Sequence, residues 1–217
     1  MKTLIITGGR FNKEFAVSLL KKNEYAYIIA VDYGLAYAKS LGVVPDLIVG
    51  DFDTYGTEGL KEYEEKGCVI RRFNPEKDDT DTEIAINCAL KMGLDIDIIG
   101  AFGGRADHFL SNVNNLLTAL KAGIIARLLD EGNIIFLKDR SFEVTAETVP
   151  YTYFSLLPFA GAVTGLTIKG FKYALDGYDL KPGSSRCISN ELTMKTGNII
   201  FDDGILVVIN SEDVPIH

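Results

Sequence analysis

Apolar residues along this chain recur in short runs separated by stretches of helical spacing up to about residue 132, and in short runs without helices after it. Residues 2–7, 26–31, 47–49, 69–73, 95–101 and 126–129 read as buried strands. Between them, 14–22 carries Phe15, Leu19 and Leu20 on one helical face, and 34–41 carries Leu35, Ala38 and Leu41. Residues 57–66 form a further helix, and a clear one opens at Thr80 with Ile84, Ala85, Cys88, Ala89 and Met92 on its buried side. The longest predicted helix, 108–122, turns Phe109, Val113, Leu116, Leu117 and Leu120 inward. Alternating strands and helices imply a mostly parallel sheet flanked by helices, a Rossmann-like α/β arrangement. Beyond it, 133–137, 141–146, 152–157, 163–168, 191–195, 198–201 and 205–209 are short and rich in β-branched and aromatic residues. Turn signals at about 8–12 residue spacing, with no helix between, predict an all-β sandwich. Two domains follow, 1–135 and 136–217.

Composition narrows the function. Of 217 residues 47% are hydrophobic and 24% charged, the profile of a globular domain pair. The most apolar stretch, 154–168, is broken by Pro158, Gly161 and Gly165, so it reads as strand and not as a membrane span. The opening apolar block runs straight into a glycine turn and is too short for a signal peptide. Cys68, Cys88 and Cys187 are widely spaced, which suggests reduced thiols in the cytoplasm. His108 and His217 cannot build a histidine-rich zinc site. A net charge of −8 disfavours nucleic acid as a partner. These features point to a cytoplasmic protein acting on a small molecule.

The candidate chemistry is acidic. After the apolar run 47–49 come Gly50, Asp51, Phe52 and Asp53, two carboxylates spaced i, i+2 and so on one side of an extended chain. Hard oxygen ligands of this kind suit Mg²⁺. Asp32 ends the strand before it, and its plainer reading is a helix cap. Residues 76–83 crowd Asp78, Asp79 and Asp81 around Lys77, while Thr80 and Glu83 fit a capping box. Gly103, Gly104, Arg105, Ala106, Asp107 and His108 follow another strand, with Asp107 a natural N-cap and Ser111 and Asn112 one turn on. Gly8-Gly9-Arg10 follows the first strand and reads as a plain strand-to-helix turn. In a parallel sheet these strand ends share one edge, where open α/β sheets bind ligands. If they converge, they make an acidic Mg²⁺ site interleaved with Arg10, Lys77 and Arg105, suited to phosphoryl transfer. Duller readings stand beside these: His108 as a first-turn helix residue, Asp79 as solvated, Asp46 as the residue that sets a strand's start, Ser189 and Asn190 as a β-turn.

The order of these motifs resembles the thiamine pyrophosphokinase family. The resemblance rests on Val31-Asp32-Tyr33-Gly34, residues 45–54, Glu76-Lys77-Asp78-Asp79-Thr80-Asp81 and Gly103-Gly104-Arg105-Ala106-Asp107-His108. It continues through Gly165-Leu166, Lys172-Tyr173-Ala174-Leu175 and Ile188-Ser189-Asn190-Glu191. It implies pyrophosphoryl transfer from ATP to the hydroxyl of thiamine, with Asp51, Asp53 and Asp81 holding Mg²⁺ and Asp32 beside them. It further implies ATP and phosphate contacts at Lys77, Asp78, Thr80, Arg105, Asp107, His108 and Asn112, and a pyrimidine-binding loop at Ser189 and Asn190. It implies, too, a homodimer whose thiamine pocket forms between one subunit's catalytic domain and the other's sandwich. Tyr33 departs from the family's pattern of two glycines after the leading aspartate, and Thr54 stands where serine is usual. The rival readings are a diphosphokinase for another hydroxymethyl compound of pterin type, and a thiamine or nucleotide sensor without turnover.

Overall fold

A computed structural model describes residues 1–50, 56–72 and 79–213 of the chain. It forms two compact units, Met1–Glu131 and Gly132–His217. In the first, β1 (Lys2–Ile6), α1 (Lys13–Lys22), β2 (Tyr25–Val31), α2 (Gly34–Ser40), β3 (Leu47–Gly50) and α3 (Gly56–Glu65) alternate. Next come β4 (Val69–Arg72), α4 (Asp81–Ala89), β5 (Ile96–Ile99), α5 (Ala106–Lys121) and β6 (Ala126–Leu129). The strands lie in the order β4-β3-β2-β1-β5-β6, and every neighbouring pair is parallel. Strands covered on both faces need near-continuous apolar runs. Leu4, Ile5 and Ile6 of β1, Ile48 of β3 and Ile96 and Ile98 of β5 are accordingly fully buried.

Two local readings are corrected here. Helix α5 begins at Ala106, ahead of the expected 108, so Arg105 takes the N-cap position and Asp107 lies inside the first turn. Helix α4 ends at Ala89 and passes into a 3-10 turn, Leu90–Met92, closed by left-handed Gly93. The change of winding rotates Met92 out of the buried face into solvent.

The amino-terminal part of the sheet is held by polar groups. Asp46 opens β3: its carboxylate accepts from the Ile28 amide at 2.8 Å, and its carbonyl accepts from the Val69 amide at 2.9 Å. That straps β2, β3 and β4 together. Asp97, buried within β5, accepts from Lys2 Nζ at 3.1 Å, Tyr25 Oη at 2.8 Å and Arg127 Nε at 2.9 Å. Burial, and then the Asp97 charge, hold the Tyr25 phenol well above its usual range, so it remains a hydrogen-bond donor.

The second unit contains β7 (Asn133–Lys138), β8 (Phe142–Thr145), β9 (Tyr153–Lys169), β10 (Leu175–Leu180), β11 (Thr196–Ile200) and β12 (Asp203–Ser211). Its strands run β7-β12-β9-β11-β8, with β10 also on β9, and the pairings are antiparallel. The two strands expected at 152–157 and 163–168 are one. Instead of ending, the chain bends at left-handed Ala160 and Gly165, and the register with β12 shifts between Asp203 and Ile205. The first half of β9 pairs with β12 and its second half with β10 and β11, so one strand serves both halves of the unit. Phe154, Leu156, Val163, Leu166 and Ile168 of β9 share a core with Ile199, Leu206 and Val208. No strand forms over 191–195; Leu192 makes only an isolated bridge to Phe171. The pairing goes to β10, whose Leu-Asp-Gly-Tyr-Asp-Leu run lacks β-branched residues and pairs with an irregular register.

Removing the Asp97 carboxylate leaves two cations and a half-buried phenol without their common acceptor. Asp97→Ala is expected to lower unfolding free energy by about 3 kcal/mol, read from the urea midpoint, with the far-UV circular dichroism of the folded protein unchanged.

Candidate active site

From β1 the chain winds outward through β2, β3 and β4, then returns through α4 to β5 on β1's other side. The winding reverses between β1 and β5, and ligands of open α/β sheets bind beyond the strand ends at such a point. The turns after these two strands are laced together. The Thr7 amide donates to Ile99 O at 2.9 Å, the Gly9 amide to Gly100 O at 2.7 Å, and the Arg10 amide to Phe102 O at 2.7 Å. Position 9 must be glycine, because a Cβ there would run into the carbonyl oxygens of Gly100 and Phe102. Since the amides of Gly9 and Arg10 are spent on this clasp, Gly8-Gly9-Arg10 is a plain strand-to-helix turn. The Arg10 guanidinium donates to Asp130 Oδ2 at 2.6 Å, with Glu131 at 3.7 Å, and the Asp130 contact raises its pKa further.

Asp32 follows β2 with a left-handed φ of 47°. Aspartate tolerates this region better than most residues. Its amide donates to Val49 O at 2.9 Å, and its carbonyl accepts from the Leu35 amide at 3.1 Å. The N-cap position of α2 falls to Tyr33. Gly34 then passes directly under the Ile6 carbonyl, where no side chain fits. Asp32 is thereby held half-buried beside the clasp.

Strand β3 ends at Gly50 on this same edge. Asp51, Asp53, Lys77 and Asp78 lie outside the described residues. Asp81 opens α4, half-buried, and Thr80 caps that helix by accepting the Glu83 amide at 3.2 Å. Asp79 is exposed. Among the described residues no three carboxylate, histidine or cysteine side chains gather as a metal cluster. Asp32 and Asp81 are the described members of the expected carboxylate set.

Arg105 and Asp107 form a two-pronged pair at the start of α5, Nε to Oδ1 at 3.1 Å and Nη2 to Oδ2 at 2.6 Å. Asp107 Oδ1 also accepts the His108 amide at 2.9 Å. The Arg105 hydrogen bond pulls the Asp107 carboxyl down to about 2. His108 is an exposed first-turn residue. Asn112 is buried and donates to Ala101 O at 3.0 Å, tying α5 to the end of β5.

In the second unit Ser189 is exposed with a left-handed φ of 55°, and its amide donates to Ser155 Oγ at 2.9 Å. Asn190 is buried. Its Oδ1 accepts from the amides of Tyr173 at 2.9 Å and Glu191 at 3.0 Å, while Nδ2 donates to Tyr173 O at 2.8 Å. The pair is therefore more than a simple turn: Asn190 clamps the 172–175 segment and Ser189 projects beside it.

Sequence reading passed over Asp130 and Ser155. Asp130 follows β6 at a strand end, the placement that singled out the other aspartates, so the signal was present. Ser155 lies 34 residues from Ser189 and carried no local signal.

A model of the thiamin pyrophosphokinase catalytic domain matches residues 17–128, and one of the thiamin pyrophosphokinase vitamin B1 binding domain matches 141–206. The chain is 34% identical to the thiamine pyrophosphokinase of Bacillus subtilis, over 98% of this chain and 100% of that one. A rice thiamine pyrophosphokinase is 27% identical over 76% of this chain and 66% of its own. The crystal structure of the Bacillus subtilis enzyme superposes with a TM-score of 0.87 at 32% identity, covering 99% of this chain and 100% of that chain. That of thiamin pyrophosphokinase from Geobacillus thermodenitrificans superposes at 0.84 with 31% identity, covering 98% of each. A parallel α/β unit followed by an antiparallel β unit, together with these likenesses, defines the class: a two-part α/β kinase. Within that class, the chain belongs to the thiamine pyrophosphokinase family.

The Arg105–Asp107 pair is open to solvent and adds little to stability, so its chief measurable effect is on the carboxylate itself. Asp107 titrates near 2, which keeps the pair intact above the ordinary carboxyl range and breaks it as pH falls through about 2. In a carboxyl-carbon NMR titration, Arg105→Gln is expected to return Asp107 toward about 3.9.

Proposed function

We propose that the chain transfers the pyrophosphoryl group of ATP to the hydroxyl of thiamine, giving thiamine diphosphate and AMP. The observation that carries this reading is the end-to-end likeness to the Bacillus subtilis enzyme, which spans the catalytic and vitamin-binding portions together. The thiamine oxygen bonds to the β-phosphorus, the bond from that phosphorus to the bridging oxygen breaks, and AMP departs with that oxygen. The hydroxyl proton is released to a neighbouring base.

In this reading Asp51, Asp53 and Asp81 hold Mg²⁺ and the triphosphate, with Asp32 beside them. A set of hard carboxylate oxygens fits Mg²⁺, and the bound ion neutralises charge on the phosphates. Lys77, Asp78, Thr80, Arg105, Asp107, His108 and Asn112 form the nucleotide side. Thr80 and Asn112 serve it by fixing the starts of α4 and α5, where their hydrogen bonds are spent. Residues 1–135 supply the ATP and Mg²⁺ site, and 136–217 bind thiamine and a second copy of the chain, so that the active site forms between subunits of a homodimer. Ser189 offers its exposed hydroxyl to the pyrimidine, and Asn190 shapes the loop that carries it. Tyr173, Ile188, Met194 and Ile200, apolar side chains exposed on the second unit, support the second copy. Free thiols at Cys68, Cys88 and Cys187 support a cytoplasmic setting.

A coupled assay for AMP, run with ATP and Mg²⁺ and with or without thiamine, tests the reaction. Thiamine-dependent AMP is expected, and Asp53→Ala or Asp81→Asn should cut kcat by about 100-fold or more while the fold is retained. AMP formed with a pterin alcohol and not with thiamine would move the activity to that substrate. Binding of ATP and thiamine without AMP would leave a sensor.

A further inference from the structure

Tyr33 stands at the ligand edge of the sheet, directly after Asp32, with 52% of its surface in solvent. The ring is fixed in spite of that exposure. It meets Tyr37 edge-to-face, with centroids 5.2 Å apart and planes at 84°. Tyr37 in turn stacks flat on Phe11 at 4.2 Å and 4°. The Tyr37 hydroxyl donates to Gly9 O at 3.0 Å, which anchors the three rings to the clasp between β1 and β5. An edge-to-face contact takes up at most one face of Tyr33. With about half its surface in solvent, the ring keeps aromatic area open at this edge, beside a neighbour that holds it.

We propose that Tyr33 is the stacking platform for the base of the nucleotide and favours purines. This rests on the reading of the chain as an ATP-dependent pyrophosphokinase. Two planar groups take part in that reaction, the base and the rings of thiamine. Tyr33 lies within the stretch matched by the catalytic model, 17–128, and outside the vitamin B1 binding stretch, 141–206. In that reading residues 1–135 hold the nucleotide. Pre-ordering by Tyr37 and Phe11 lowers the entropy lost when a base docks. A purine covers more of the ring than a pyrimidine does, which is the source of the preference.

The test is isothermal titration calorimetry on the full chain with Mg²⁺ and α,β-methylene ATP, whose reacting bond cannot break, and with its cytidine counterpart. Thiamine is left out of these titrations and is titrated separately against the wild type and each variant. Tyr33→Ala is expected to weaken the adenine compound by about tenfold and the cytidine compound less, narrowing the preference between them. Tyr33→Phe should stay within about twofold of the wild type. Circular dichroism and the thermal midpoint check that both variants fold. Equal adenine-nucleotide affinity in Tyr33→Ala overturns the platform and leaves the pyrophosphokinase reading standing. Loss of thiamine affinity with nucleotide affinity unchanged reassigns the ring to thiamine and overturns it too. A wild type that binds neither nucleotide overturns both readings together.

Discussion

Two backbone turns, one after β1 and one after β5, approach so closely that amides of the first donate to carbonyls of the second, and the edge of the first unit depends on that approach. It requires a residue without a side chain at Gly9, because the Gly100 and Phe102 carbonyls occupy the space. The same packing places Gly34 beneath Ile6 and brings Asp32 beside the clasp. It has a chemical consequence. Amides that in other α/β proteins cradle a phosphate are here turned toward a neighbouring carbonyl. The amides of Gly9 and Arg10 are thereby spent within the chain and unavailable to a ligand.

Three described residues other than glycine are left-handed: Ala160 at the bend of β9, and Asp32 and Ser189 at candidate site positions. Asp32 and Ser189 both occupy the left-handed region, at a cost of roughly 1–2 kcal/mol per residue. Each is held there by a hydrogen bond that its amide donates to a distant chain segment, Asp32 to Val49 O and Ser189 to Ser155 Oγ. Such strain persists only when surrounding structure over-determines it, and it clusters at working sites. Around these points sits a supporting tier. Thr80, Asn112 and Asn190 spend their polar groups on backbone atoms of the chain itself. They set the positions of helix starts and of one loop.

The ring ladder Phe11–Tyr37–Tyr33 adds an apolar face to an edge otherwise lined with charge. Its anchoring bond to Gly9 O joins it to the clasp. The clasp thus lies beside both Asp32 and the ring at 33. The Arg10–Asp130 pair ties the same turn to the end of β6.

Much of this is legible in the sequence. Alternating apolar runs and helical faces were enough for a parallel sheet flanked by helices, because strands buried on both sides leave that mark in composition. Strand-end aspartates and the order of motifs from Asp32 to Asn190 were enough for the family. Local pattern misjudged the second unit, where one bent strand reads as two and β10 lacks the β-branched residues that announce a strand. It was also silent on how polar groups are used. That the Gly9 amide is consumed, that Asn190 clamps Tyr173, and that Asp97 gathers Lys2, Tyr25 and Arg127 are facts of strand order and register. Those contacts join residues far apart in the chain. A hydrogen bond depends on tenths of an ångström between its partners, and only the packed tertiary structure sets such distances.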